Sequence, residues 1–126
     1  MEIIITNNAS KPIYEQIVRQ AERFILSGLL KPGDQLPSVR SLSIDLSVNP
    51  NTIQKAYAEL DSHGILCAVP GRGCFVSQNA VALLSDNRRA RLDELEELAK
   101  ELALAGVSKQ ELIERVDHAY TLSGNK

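Results

Sequence analysis

Residues 46–64, "LSVNPNTIQKAYAELDSHG", decide the fold. Within them, apolar residues recur at the spacing of one helix face, and these are Ile53, Ala56, Tyr57 and Leu60. The start of this helix is polar, because Asn49 is a good N-cap and Pro50 suits the first helical position. The stretch therefore predicts a helix from Pro50 onward, with a buried stripe and a polar N-terminal end.

A shorter helix is predicted just upstream, over "VRSLSIDL" at 39–46 with Ser38 as its N-cap. Two short helices joined by a tight turn are typical of a helix-turn-helix. A longer helix, capped by Ser10 and with Pro12 in its first turn, is expected before them, up to Gly28. The β-branched run at residues 2–6 predicts an edge strand that ends at Asn7 and Asn8.

After Gly64 the pattern changes to that of a β-hairpin, with "ILCAV" and "CFVS" around "PGRG". A hairpin directly after a helix-turn-helix predicts a winged helix. A two-residue tip at Pro70 and Gly71 would place Cys67 opposite Cys74, close enough for a disulfide, with unpaired structural thiols as the alternative.

The remaining residues predict two more amphipathic helices. The first carries an apolar stripe, widened by Leu98 and Ala105 and ended by Gly106. Ser108 and Glu111 form a capping box that starts the second. Because two such helices cannot form a core alone, they are expected to pack on the winged helix, on a second chain, or on both. The stripe predicts dimerisation, with an intramolecular helix pair as the alternative. Its residues are Leu92, Leu95, Ala99 and Leu102.

The fold class expected from these patterns is mainly α with a small β-hairpin. Residues 1–79 are expected to form a winged helix-turn-helix domain, of the kind that is typical of DNA-binding proteins, with its core at 11–78. Residues 80–126 form a short two-helix C-terminal dimerisation region.

Composition narrows the classes of function. The chain has 126 residues, 44% of them hydrophobic, and no apolar run long enough to cross a membrane, so a cytoplasmic protein is expected. Two cysteines make neither a disulfide framework nor a zinc site, and neither metal nor cofactor is expected. His63 and His118 have no neighbours that suggest catalysis, and the tail is too short for an added cofactor-binding domain, so an enzyme is not expected.

Net charge is −2, and residues 1–78 carry seven basic and seven acidic side chains. Affinity for DNA phosphates comes from Lys and Arg, so one copy would make few phosphate contacts and a homodimer is expected. The helix that begins at Pro50 nevertheless places amides, a hydroxyl and a cation where they could contact bases, and its N-terminal N–H groups could bind a phosphate. A winged helix that binds only protein is the alternative, but it would favour apolar or acidic residues on this face.

Four motifs together resemble the GntR family of bacterial transcription regulators: "KPIYEQI" at 11–17, "LKPGDQLPSVRSL" at 30–42, "VNPNTIQKAYAELDSHGIL" at 48–66 and "PGRGCFV" at 70–76. The short tail resembles the YtrA-type subfamily. The resemblance implies a homodimeric repressor that binds an inverted-repeat operator, often of a transporter operon, and leaves room for a small-molecule effector. The DNA-contacting candidates are Ser38, Arg40, Asn49, Asn51, Thr52, Gln54, Lys55, Gly71 and Arg72.

Overall fold

The computed structural model describes residues 2–6 and 10–123 and divides the chain into two compact units, one ending at Asn87 and the other beginning at Arg88. The elements in chain order are α1 (Ile13–Ser27), α2 (Val39–Leu46), α3 (Pro50–Ser62), β1 (Leu66–Val69), β2 (Gly73–Val76), α4 (Ala80–Arg89), α5 (Leu92–Leu104) and α6 (Lys109–Ser123). The predicted class, mainly α with one hairpin, is confirmed.

The core of the N-terminal unit lies where α1 packs against α3. All four residues of the predicted α3 stripe are buried, from Ile53 to Leu60, and they meet the buried α1 residues Ile17, Ala21 and Ile25. Burying this apolar surface is the main source of stability for the unit. It also fixes α3 so that its opposite face is left to solvent.

The caps of α2 and α3 are as predicted. Ser38 Oγ accepts the backbone N–H of Ser41 at 3.0 Å, and Asn49 Oδ1 accepts that of Asn51 at 2.8 Å. Between the two helices, Ser47 takes a left-handed conformation with φ 54°, which breaks α2 and turns the chain into α3.

The start of α1 differs from the prediction. Pro12, not Ser10, occupies the N-cap position, and no side chain caps the helix. Instead, Gln16 Nε2 reaches back and donates to the Lys11 carbonyl at 3.0 Å. The C-terminal end is as expected, since Gly28 closes the helix in a left-handed conformation.

Residues 2–6 do not form the predicted edge strand. Their backbone pairs with the side-chain amides of Gln16 and Gln20 on α1 and not with another strand, so the segment is extended but belongs to no sheet. The predicted strand end at Asn7 and Asn8 lies outside the described residues.

The hairpin pairs β1 with β2 in a register that differs by one residue from the predicted one. Val69 faces Gly73, so the tip has three residues, Pro70 to Arg72. Cys67 therefore faces Phe75, and Cys74 faces Ala68. Because a one-residue shift reverses the face of each side chain, the two cysteines lie on opposite faces, and the predicted disulfide position is wrong.

The first helix of the tail belongs to the N-terminal unit. Ala80 and Leu84 of α4 are buried in its core, at 0% and 1% exposure, and the division between the units falls at Asn87 instead of after residue 79. The C-terminal unit contains α5 and α6, joined at Gly106, whose φ of 92° needs a glycine.

Candidate nucleic-acid interface

The N-terminal end of α3 carries exposed amides on a capped helix start. Asn51 and Gln54 are exposed and Thr52 is half-buried, while the apolar stripe of the same helix faces the core. The first-turn N–H groups already have hydrogen-bond partners. The Asn51 N–H donates to Asn49 Oδ1, and the Thr52 N–H donates to the Asn49 carbonyl at 2.9 Å. The expectation of free N–H groups for a phosphate is therefore wrong, and recognition here depends on side chains.

Lys55 is held by α1. Its Nζ lies 4.0 Å from the centre of the Tyr14 ring, within the range of a cation–π interaction. The contact places this cation beside α1, whereas Gln54 borders the hairpin side of α3. The Lys55 side chain, like the capping side chain of Asn49, thus already has a partner inside the protein.

Ser38 and Arg40 lie at the start of α2, and both are exposed. The Tyr57 hydroxyl on α3 donates to the Pro37 carbonyl at 2.8 Å, which ties the start of α2 to α3. Burial raises the pKa of Tyr57 well above its usual range, and Cys74 adds to the shift. The hydroxyl therefore stays protonated and able to donate this hydrogen bond.

The hairpin tip presents Arg72 beside a tight turn. Gly71 has φ 76° after Pro70, and the Arg72 N–H closes the turn on the Val69 carbonyl at 3.0 Å, as in a type II turn. The Arg72 side chain is exposed, while its carbonyl accepts Gln35 Nε2 at 2.9 Å. Hydrogen bonds therefore fix the backbone of the tip, while the Arg72 side chain is exposed to solvent.

Gln35 is a residue that the sequence did not single out. It pairs with Phe75 as an isolated bridge, so the segment before α2 adds a third short stretch to the hairpin, with the Leu36 N–H donating to the Cys74 carbonyl at 2.8 Å. A Cβ on Gly73 would lie 2.5 Å from Gln35 Nε2, so this contact needs a glycine there. In sequence, Gln35 looked only like part of a turn.

A groove of about 390 Å³ joins these parts. The start of α2, the exposed side of α3 and the hairpin all line it, through Ser38, Gln54 and Arg72 among others. Asp61 and Cys74 line it too, and burial, with Asp61 as a second cause, raises the pKa of the Cys74 thiol. The thiol is consequently kept in its neutral, poorly nucleophilic form.

The four residues of the predicted dimerisation stripe lie along α5, in the C-terminal unit. Leu92 and Leu95 are 58% and 52% exposed, and Ala99 and Leu102 are partly buried. In α5 and α6, over residues 92–104 and 109–123, not one residue is fully buried. The two helices border an apolar groove of about 700 Å³.

Other classes of site find little support in the described residues. Within residues 2–6 and 10–123, no cluster of His, Cys, Asp and Glu side chains is suited to hold a metal ion. Over the same ranges, no helix has the length and apolar character needed to cross a membrane.

The helix-turn-helix, its exposed polar helix and the adjoining hairpin define a winged-helix DNA-binding protein. Residues 13–76 match the model of "Bacterial regulatory proteins, gntR family". The chain is 42% identical over 113 residues to the HTH-type transcriptional repressor YtrA of Bacillus subtilis (strain 168), covering 89% of this chain and 87% of that protein.

Two solved structures extend the comparison. A GntR family transcriptional regulator from Listeria monocytogenes superposes with a TM-score of 0.73 at 36% identity, covering 88% of this chain and 97% of that one. The DNA-binding domain of AraR in complex with operator ORX1 has a TM-score of 0.55 at 30% identity, covering 61% and 96%. The chain belongs to the GntR family, and it is a DNA-binding transcription regulator and not an enzyme.

Proposed function

We propose that the chain represses transcription by binding an inverted-repeat operator as a homodimer, with the exposed side of α3 in the major groove and the hairpin tip at the DNA backbone. One observation carries the proposal: Ser38, Gln54 and Arg72, from three separate elements, border a single groove. Elements that meet in this way present their exposed polar groups to one ligand surface.

Different residues have different parts in this interface. Asn51 and Gln54 are exposed amides, which pair bidentately with adenine in a major groove, and Thr52 offers a hydroxyl and a methyl group. Arg40 and Arg72 are exposed cations suited to phosphates. Ser38 and Asn49 act through their capping bonds, because their oxygens are already used to start α2 and α3. Gly71 shapes the turn that holds Arg72.

Lys55 has a secondary part in the proposal. To reach DNA it must leave the face of Tyr14, and a cation–π contact of this kind is worth about 0.5–1 kcal/mol at an exposed site. Its replacement should therefore weaken binding less than that of Arg40.

The C-terminal unit supports the dimer. Helices of 13 and 15 residues with no buried side chain have no core of their own. Leu95, Leu98 and Val116 border the groove between them and are each more than 40% exposed. A second copy of the two helices would cover this apolar surface. The resulting two-fold dimer would carry two DNA-binding domains, one for each half-site.

A gel-shift titration of the full chain against the DNA upstream of its own gene tests the DNA face. We expect Arg40→Ala to lose affinity for DNA of any sequence and Thr52→Ala to lose the preference for the operator, while the far-UV circular dichroism and the midpoint of urea unfolding stay unchanged. Arg23→Ala is the matched control, because this exposed arginine lies on α1 beside Ile4, outside the proposed face. Equal affinity of Arg40→Ala, Thr52→Ala and wild type would refute the assigned face.

Sedimentation tests the dimer separately. Leu95→Glu should convert a dimer into a monomer, because it puts a carboxylate into the apolar groove between α5 and α6. Leu104→Glu is the control, since Leu104 is 91% exposed and does not border that groove. A wild-type chain that is monomeric at micromolar concentration and still fully specific for a single half-site would contradict the dimer.

Repression and the control of a transporter operon rest on the family resemblance and on the name of the Bacillus subtilis relative. A protein that occupies a promoter blocks polymerase by simple exclusion, so repression is the simplest outcome of operator binding. A reporter fused to the upstream DNA should become more active when the gene is deleted, and lower activity after deletion would contradict repression.

A further inference from the structure

Residues 2–6, which we call the N-terminal arm, have the geometry of a β-strand without belonging to a sheet. Ile3 is buried and Ile5 packs against the core, whereas Ile4 is 73% exposed and Thr6 is also exposed. Alternation between successive side chains is the period of an extended strand. The arm therefore has one face on the core and one face in solvent.

One edge of the arm is occupied by α1. The Ile4 N–H donates to Gln20 Oε1 at 2.9 Å, and Gln20 Nε2 donates to the Ile4 carbonyl at 2.6 Å. Gln16 makes the same pair of hydrogen bonds with Thr6, both at 2.9 Å. Two amide side chains thus take the place of a neighbouring strand.

The other edge has no hydrogen-bond partner among residues 2–6 and 10–123. Backbone groups of alternate residues in a strand point to opposite edges, so the N–H and C=O groups of Ile3 and Ile5 point away from the two glutamines. None of these groups takes part in a hydrogen bond with any part of the chain that the structure describes. An unpaired strand edge of this kind is a template for another strand.

We propose that this open edge pairs in an antiparallel manner with the same arm of a second copy of the chain. With the two-fold axis at Ile4, Ile3 of one copy faces Ile5 of the other, and each of their free N–H and C=O groups gains a partner. The two Ile4 side chains then meet across the axis at a non-hydrogen-bonded position, where Cβ atoms lie about 4.5–5.5 Å apart. Pairing therefore covers the exposed isoleucine as well as the open backbone.

The observations favour a second copy over an unrelated strand. The arm is self-complementary, since its outward groups lie symmetrically about Ile4. Antiparallel pairing sets Glu2 opposite Thr6, while parallel pairing in register would set two Glu2 carboxylates side by side. A shallow hollow lined by Gln20, Arg23 and Phe24 lies beside Ile4 and offers a further apolar and polar surface to an incoming side chain.

The contact is small, far below the roughly 1,200 Å² that stable complexes bury. It is therefore a weak and transient contact, of the kind that disulfide trapping captures in solution. The inference goes beyond the proposed function and does not depend on DNA binding or on the C-terminal helices.

Disulfide trapping in the full chain tests the register. In a Cys67→Ser, Cys74→Ala background, we expect Ile4→Cys to form an intermolecular disulfide under mild oxidant at least about ten-fold faster than Thr6→Cys, because only the Ile4 positions come within bonding distance of each other. Thr6→Cys is the matched control, being exposed and only two residues away. An equal mixture of Glu2→Cys and Thr6→Cys chains should form the mixed disulfide faster than either chain alone.

Leu29→Cys, at an equally exposed site of the same unit, measures chance collision. Equal rates for Ile4→Cys, Thr6→Cys and Leu29→Cys would overturn the proposal, as would faster trapping by Thr6→Cys. The readout contains no DNA, so failure of arm pairing and failure of operator binding are seen in different experiments.

Discussion

Replacement of Tyr57 by phenylalanine should destabilise the N-terminal unit at neutral pH. Tyr57 is 5% exposed, and its hydroxyl donates to the Pro37 carbonyl at 2.8 Å. Phenylalanine keeps the ring and leaves no cavity, so the loss is confined to this hydrogen bond and to a carbonyl left without its partner. Such a loss costs about 1–2 kcal/mol.

The same substitution should change the response to alkaline pH. Burial, with Cys74 as a lesser cause, raises the pKa of Tyr57 in the folded chain, whereas the unfolded chain keeps the usual value near 10. Because the folded chain holds the Tyr57 proton more tightly than the unfolded chain does, the stability that this proton contributes is complete below pH 10. Above pH 10 that contribution falls by about 1.4 kcal/mol per pH unit. Wild type should therefore lose its advantage over Tyr57→Phe close to about pH 11.

Urea unfolding followed by far-UV circular dichroism, at intervals from pH 7 to pH 11, measures both effects. Taking the difference between wild type and Tyr57→Phe cancels the titration of groups that the two proteins share. Equal stability at pH 7 would refute the role of the hydrogen bond. If the difference in free energy of unfolding between the two proteins stayed constant from pH 8 to pH 11, the conclusion that burial raises the pKa of Tyr57 would be refuted.

Three further outcomes are expected. Leu60→Ala should lower the free energy of unfolding by about 2–5 kcal/mol, measured by urea denaturation, because this fully buried side chain leaves a cavity in the core. Gln20→Ala should speed hydrogen exchange at the Ile4 amide, as measured by NMR, without unfolding α1. An unchanged exchange rate would contradict the hydrogen bond between the Ile4 N–H and the Gln20 side chain. Mild oxidation should leave operator affinity and monomer mass unchanged, since Cys67 and Cys74 lie on opposite faces of the hairpin; an intramolecular disulfide seen by mass spectrometry would contradict this register.

Local signals explain why the helix-turn-helix was predictable. The caps at Ser38 and Asn49, the proline at position 50 and the apolar spacing of α3 all act within a few residues of one another. The exposed face of α3 followed from the same pattern, because a helix with one buried stripe leaves its other side to solvent. The candidate contacts Asn51 and Gln54 were found in this way.

Tertiary contacts explain what the sequence left open. The three isoleucines of residues 3–5 favour a strand, but their partners are the side chains of Gln16 and Gln20, which no strand pattern predicts. Ala80 and Leu84 look like the start of a separate tail, and only packing shows that they complete the first core. In the hairpin, one extra residue in the tip was enough to reverse the face of Cys67 relative to Cys74.

The interface also depends on contacts between distant segments. Gln35 joins the groove because the segment before α2 pairs with β2, and Lys55 turns to Tyr14 because α1 crosses α3. Neither arrangement is visible in the spacing of residues along the chain. These two contacts therefore refine the candidate site more than any motif does.

Selection of binding sites from randomised duplex DNA by the full chain tests the central claim most directly. A dimer that reads DNA with two copies of α3 should enrich an inverted repeat, with half-sites centred roughly 10 base pairs, or a multiple of this, apart. Thr52→Ala should fail to enrich that sequence, while Arg23→Ala should enrich it as wild type does. Enrichment of a single unrepeated site, or the same sequence enriched by Thr52→Ala, would contradict the account.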